Sequence, residues 1–267
     1  MPSYPFLTTF DVDLIRLLTS DFLLLSGKQI STLFPDRSPR NIRYRLRRLA
    51  LQEFISSRLF PAHYNVPKLP LYFAGPKALE ALSLEPSEEF LKHRKRAIYM
   101  KERAIPHFLL IQSAYGKLLS ETRQSTVCRL TSWIHPYDPL WNTFNDYGLQ
   151  FRPDAYGEIR IHTLTVPFFL EIDTGEERGA PLKHKFDKYN DYALSGNFQQ
   201  HFSLPKFRLL FVTTSQRRIR ELLRLTAPHL AHVFWFATFE DFLHKSILEA
   251  YWSVSNSDAL HSLSTPL

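Results

Sequence analysis

The chain is poor in the residues on which several function classes depend. One cysteine, Cys128, stands in 267 residues. Neither an internal disulfide nor a zinc–cysteine cluster can form, and such usage fits a reducing cytoplasm. Glycine is scarce too, at eight, and none lies in a loop patterned to cradle phosphates. No apolar run reaches the ~18 residues of a transmembrane helix, so no membrane partner is expected. The N-terminal stretch carries Asp11 and Asp13 with no early Lys or Arg, unlike a signal peptide. The eleven histidines include no His-x-His pair, and "GKQIS" and "SAYGK" are not nucleophile elbows. Internal repeats are absent.

What is present is a hydrophobic fraction of 44%, ample for a core, and a net charge of +7 from 33 basic against 26 acidic residues. A length of 267 residues suits one or two domains. A basic balance favours polyanion partners only where the charge is concentrated. It is concentrated in "SPRNIRYRLRRLALQEF". No acidic residue falls between Arg37 and Gln52. On a helical wheel Ile42, Leu46 and Leu49 share one face. Arg40, Tyr44 and Arg47 lie opposite, flanked by Asn41, Arg43 and Arg48. Guanidinium forks suit phosphates and guanine edges, and Asn suits adenine.

The surroundings of that helix give it a context. "DVDLIRLLTSDFLLL" has helical apolar spacing, and "SGKQISTLF" reads as a short second helix capped by Ser26. "PDRSPR" is a turn, with Ser38 a cap and Pro39 at the first helical position. "FISSRLFP" and "LPLYFAG" read as strands around the loop "AHYNVPK", and "GPKALEAL" as helix. This order predicts a winged helix-turn-helix over 8–86 that binds double-stranded DNA through Arg40, Asn41, Arg43, Tyr44, Arg47 and Arg48. The basic stretch after Ser87 predicts a linking helix over 87–105.

A mixed-sheet α/β domain is expected over 106–252. "TVCRLTSWI", "FRPDAYGEIRI" and "HTLTVPFFLEID" read as strands, with "WNTFNDYGLQ" a loop between the first two. "PLKHKFDKYNDYALSG" is a helix, "FRLLFVTT" a buried strand, "SQRRIRELLRLT" a helix and "HVFWFAT" a strand. "FEDFLHKSILEAYW" is expected to be a final helix, and 253–267 a flexible Ser-rich tail. Strand alternation puts Glu171 and Asp173 on one face. Asp154 opens the paired strand. Three carboxylates meeting at one point would repel, unless a hard cation such as Mg²⁺ held them. Such an ion can activate water and neutralise a phosphate. Lys183, Lys185 or Lys188 on the next helix is placed to assist, and Lys185 shares a helical face with Tyr189.

"RPD", "EID" and the lysine-bearing helix resemble the PD-(D/E)XK nuclease superfamily. Under that resemblance Asp154 matches the first acid and Glu171 the second, while Asp173 stands where the lysine is usual. Lys185 or Lys183 would then substitute from the neighbouring helix. "KFDKY" is similar to the helical Gln-x-x-x-Tyr element of recombination-type nucleases, with Lys185 in place of Gln. The whole order, with "LYFAGPKALEAL", "HFLLIQSAYGKL", "RPDAYG", "FFLEIDTGEE" and "FRLLFVTTSQRRIREL", resembles the replication-relaxation family over about residues 10–245. That resemblance implies DNA binding in plasmid or mobile-element replication, with an endonuclease-like domain. Catalytic residues would be Asp154, Glu171, Asp173 and Lys185, and metal ligands Asp154, Glu171 and Asp173. The competing reading is a non-enzymatic replication or transcription factor on a nuclease-like scaffold. A third has the winged helix form a homodimer and bind a protein partner.

Overall fold

The computed structural model describes residues 4, 6–60, 69–138, 140, 141, 148 and 151–265. The chain divides into two compact units, Met1–Gly116 and Lys117–Leu267.

The first unit opens with α1, Thr9–Ser20. Thr8 caps it, and Asp11 returns the bond to the Thr8 backbone. Two residues follow as a strand, β1 (Leu25–Ser26), and Ser26 then caps α2 (Gly27–Leu33) in a second reciprocal box with Gln29. The sequence reading carried the first helix on through Leu25. It stops at Asp21 because Leu25 and Ser26 pair with a later strand, and because Tyr115 Oη donates to Asp21 at 2.8 Å. Ser38 caps α3 (Pro39–Leu51), with Pro39 in the first turn, and Ile42, Leu46 and Leu49 are its buried residues. Strands β2 (Ile55–Phe60) and β3 (Leu69–Ala74) pair antiparallel from Ile55 opposite Ala74 to Phe60 opposite Leu69. The three-stranded sheet has the order β1-β3-β2. The loop "AHYNVPK" between them lies outside the described residues.

Arg45 of α3 reaches the fully buried Asp11 of α1, with Nε 2.8 Å from Oδ1 and Nη2 on Oδ2. This pair fixes α3 against α1 and leaves the remaining arginines of α3 facing out. The segment expected as a link is instead part of this unit. Helix α4 (Ala78–Ala81) leads to α5 (Glu88–Tyr99), which buries Phe90 and Ala97. The carbonyls of Ala97, Ile98 and Met100 at its C-terminal end accept from Arg58 Nη1 at 3.3, 2.9 and 3.1 Å. Helix α6 (Ile105–Gln124) begins in the same unit, where Gln29 Nε2 donates to the Leu109 carbonyl at 2.8 Å.

In the second unit, β4 (Cys128–Ile134), β5 (Ala155–Ile161) and β6 (Leu164–Ile172) form an antiparallel meander. After α7 (Ala180–Leu194) and the short α8 (Asn197–Phe202), β7 (Arg208–Thr213) adds parallel to β6. Then α9 (Gln216–Thr226) crosses to β8 (Phe234–Thr238), again parallel. Among the described residues the sheet has seven strands in the order β10 (Leu260–His261), β9 (Trp252–Val254), β8, β7, β6, β5 and β4. The central strands read as continuous apolar runs because both of their faces are covered. On one face Phe169, Phe211 and Phe236 pack with Leu182 and Phe186 of α7 and with Ile219 and Leu222 of α9. Gly157 is required in β5, since a Cβ there would come within 2.5 Å of the Phe168 ring across the strand pair.

Two expectations for the C-terminal end are corrected. The last helix, α10, covers only Phe239–His244. It stops because the Ile247 N–H, 2.8 Å away, and the Ser246 hydroxyl donate to the Glu121 carboxylate rather than to helix carbonyls. The supposed tail supplies β9 (Trp252–Val254) and β10 (Leu260–His261), an antiparallel pair at the sheet edge. Leu263 beyond them is fully buried. The fully buried Arg208 donates to the Leu263 carbonyl at 2.6 Å and to the Thr265 carbonyl, with its guanidinium 4.0 Å from the Trp235 ring centroid. Burial lowers the Arg208 pKa to about 10.

Candidate functional site

The end of β6 is held between β5 and β7. The Asp154 N–H donates to the Leu170 carbonyl at 3.1 Å, and Asp154 Oδ2 accepts from the Ile172 N–H at 2.8 Å. These bonds bring the half-buried Asp154 beside Glu171. Glu171 itself is buried. Its Oε1 accepts from Tyr189 Oη at 2.7 Å and its Oε2 from Lys185 Nζ at 3.2 Å. Lys185 also pairs with Glu177 at 2.8 Å. The helical spacing of Lys185 and Tyr189 thus delivers both donors to one carboxylate.

Burial, and then the charge of Asp154, push Glu171 up to about 7 against the opposing pull of Lys185 and Tyr189. Burial alone would make Lys185 a weaker base, but Glu171 and Glu177 outweigh it and hold the ammonium charged. The two ends of the pair therefore pull in different senses. The carboxylate is short of positive charge while its lysine is shared with a second acid. Burial and Glu171 raise Tyr189 far above the usual phenol range, which keeps it a neutral donor and disfavours the phenolate that a tyrosine nucleophile requires.

Asp173 does not join this cluster. Its Oδ2 accepts from Arg218 Nε at 2.8 Å and Thr213 Oγ1 at 2.7 Å, and its Oδ1 from the Gly175 N–H at 3.0 Å. Arg218 Nη2 completes a fork on the Oδ1 side at 3.4 Å. Burial raises the Asp173 pKa, but the bonds from Arg218, Thr213 and Gly175 overcome it and hold the group below the usual range. The expected convergence of three acids is therefore replaced by two acids and a lysine, with the third acid neutralised by an arginine. Among the described residues no group of three His, Cys, Asp or Glu side chains is placed to hold a metal ion. Sequence reasoning missed Arg218 and Thr213, which lie 45 and 40 residues from their partner. Of the other candidates, Lys183 is exposed and Lys188 half-buried.

Mg²⁺ needs few protein ligands, because it keeps several waters and uses one or two carboxylates. Asp154 and Glu171 fit such an ion: burial first, and then the charge of Asp154, raise the Glu171 pKa, and a bound cation would offset both. Asp173 does not fit as a third ligand, since both of its oxygens are engaged.

In the first unit Arg40, Asn41, Arg43, Tyr44 and Arg47 are all exposed along α3. Arg48 is half-buried, with its guanidinium 5.8 Å from the Tyr44 ring centroid. Among the described residues no carboxylate forms a salt bridge with Arg40, Arg43, Arg47 or Arg48.

A basic helix in one unit and an acid–lysine site on a mixed sheet in the other define a two-part α/β protein. The model of the replication-relaxation family matches residues 18–204, well over half of the sequence, and takes in both places. The chain belongs to the replication-relaxation family. No curated protein matches it. Two solved structures of the restriction endonuclease FokI are similar, the second bound to DNA. They are 13% and 12% identical, with TM-scores of 0.32 and 0.28. Each match covers 87% of this chain and 43% of the other, so the chain spans less than half the length of those structures. Likeness at that level assigns neither fold nor chemistry. Among the described residues no helix is long and apolar enough to cross a membrane.

Proposed function

We propose that the protein acts on double-stranded DNA in plasmid or mobile-element replication or relaxation. The first unit serves as a winged helix whose α3 enters the major groove, and the second carries an Mg²⁺-dependent phosphodiester-cleaving site. The observation that carries the chemical part is the buried Glu171 set beside Asp154 and held by Lys185 at 3.2 Å and Tyr189 at 2.7 Å. Asp154 and Glu171 would hold the ion. Bound Mg²⁺ supplies a Lewis acid that stabilises charge on a phosphoryl oxygen. Lys185 stays protonated and offers a second positive group at the phosphate. Tyr189 fixes the Glu171 rotamer from below, and Phe169 and Phe186 exclude water beneath the site. Family membership and the unpaired arginines of α3 support the DNA reading.

A second reading rests on a specific observation. The Lys185–Glu171–Tyr189 and Arg218–Asp173–Thr213 networks satisfy their acids without any ion. The second unit would then be a scaffold for a non-enzymatic replication or transcription factor. Incubation of supercoiled plasmid with protein and Mg²⁺ separates the two. Nicking abolished by both Asp154→Ala and Glu171→Ala supports cleavage. Intact DNA with binding retained supports the scaffold. At α3, Arg43→Ala or Arg47→Ala is expected to weaken binding by about 1–3 kcal/mol where a base is read. Unchanged affinity and salt dependence in both variants would remove α3 from the interface.

A further inference from the structure

At the opposite end of β5 from Asp154 lies a cleft of about 890 Å³, lined by the C-terminal turn of α6, the first residues of β4 and the β5–β6 turn. No acidic side chain lines it. Arg123, Arg129 and Arg160 do, together with His162 and the hydroxyl-bearing Ser125, Thr126 and Thr163. Arg129 and Arg160 are directly opposite each other on antiparallel strands. Such partners have Cβ atoms about 4.5–5.5 Å apart, and like charges in that position destabilise a sheet. All three arginines are exposed, and among the described residues none is paired with a carboxylate. The nearest acids in sequence are engaged elsewhere: Glu121 with Lys117 and the Ile247 N–H, Glu158 with Tyr156 Oη at 2.7 Å.

The walls are fixed by the backbone. His162 adopts φ +52°, a left-handed conformation uncommon outside glycine, and its N–H donates to the Val127 carbonyl at 2.8 Å. Ser125 Oγ accepts from the Val127 and Cys128 N–H groups at 3.1 and 2.9 Å, which sets the turn into β4. A rigid concave surface carrying three guanidinium groups without counter-charge suits consecutive phosphates.

We propose that this cleft binds the phosphate backbone of DNA, as a contact of the second unit separate from both α3 and the acid–lysine site. It deepens the DNA-binding reading and can stand if α3 proves not to touch DNA. Each phosphate contact adds about 0.9 to the slope of log affinity against log salt. The double variant Arg129→Gln, Arg160→Gln in the full chain should therefore lose about 1.8 of that slope, read by anisotropy of a labelled duplex. Between 50 and 200 mM salt this is about a tenfold smaller fall in affinity. Arg129→Lys with Arg160→Lys keeps the charges and should restore the slope, which a merely structural role for these residues would not produce. Loss of slope in the glutamine variant while Arg43→Ala and Arg47→Ala both bind normally would retire α3 and retain the cleft. An unchanged slope in the glutamine variant overturns the proposal. Calorimetry with inorganic phosphate tests for a small-anion site. Heat that the glutamine variant abolishes, with the DNA slope unchanged, assigns the cleft to free phosphate and overturns it too.

Discussion

Glu171 near the end of β6 and Asp173 just beyond it sit two residues apart, yet their surroundings drive them in opposite directions. Glu171 meets a phenol, a shared lysine and a second carboxylate, and holds its proton toward neutral pH. Asp173 meets an arginine fork, a threonine hydroxyl and a backbone N–H, and releases its proton more readily than an ordinary aspartate. Both are buried. Burial raises both acids, and only at Asp173 do the bonds from Arg218, Thr213 and Gly175 overcome it. A group left short of positive charge is available to a cation or a phosphate-bound ion. A group already neutralised is part of the frame.

Removing the better-served acid should have the largest effect. Asp173→Ala leaves the buried Arg218 with only Glu221, at 3.3 Å, and the Glu177 carbonyl for partners, and unfolding by urea should show a loss of up to about 3–5 kcal/mol. A loss under ~1 kcal/mol would mean that Glu221 alone suffices for Arg218, and the contrast between the two sites would dissolve.

Glu171 gives a smaller, pH-dependent effect of opposite sense. Its folded pKa is raised, so its contribution to stability is complete below the unfolded value near 4.5 and disappears as pH rises through about 7. Wild-type stability measured at pH 5 and at pH 8 should fall by an amount on the order of 2 kcal/mol that Glu171→Gln does not lose. Parallel profiles for the two proteins would show that Lys185 compensates the burial fully.

The smallest effect is expected at the neighbour. Asp154→Asn keeps an acceptor for the Ile172 N–H but removes the repelling charge. The titration of Glu171 should move down, and stability above pH 7 should rise by an amount on the order of 1 kcal/mol or less. An NMR titration of the Glu171 carboxyl carbon that does not move would place Asp154 too far away to act on it.

Local features of this fold were legible in the chain. Ser26, Ser38 and Pro39 mark helix starts by chemistry that depends on the next three residues alone, and all three act there. The period of Ile42, Leu46 and Leu49 set which side of α3 is buried, and the i,i+4 spacing brought Lys185 and Tyr189 to one carboxylate. What escaped depends on partners far along the chain. Nothing near Asp173 announces Arg218, and nothing near Ser246 announces that Glu121 will end α10. The serine-rich end looked unstructured by composition, but Trp252, Val254 and Leu263 find an apolar edge that no local window contains. The basic residues of α5 were visible, but its docking through Arg58 was not.

Arg208 begins a central strand, yet its Nη1 and Nη2 donate to the carbonyls of Leu263 and Thr265. Residues 263–265 thus act as a cork for a cation in a central strand of this sheet. Trimming them, or pulling on them through an attached handle, would expose a strand interior rather than a loose end.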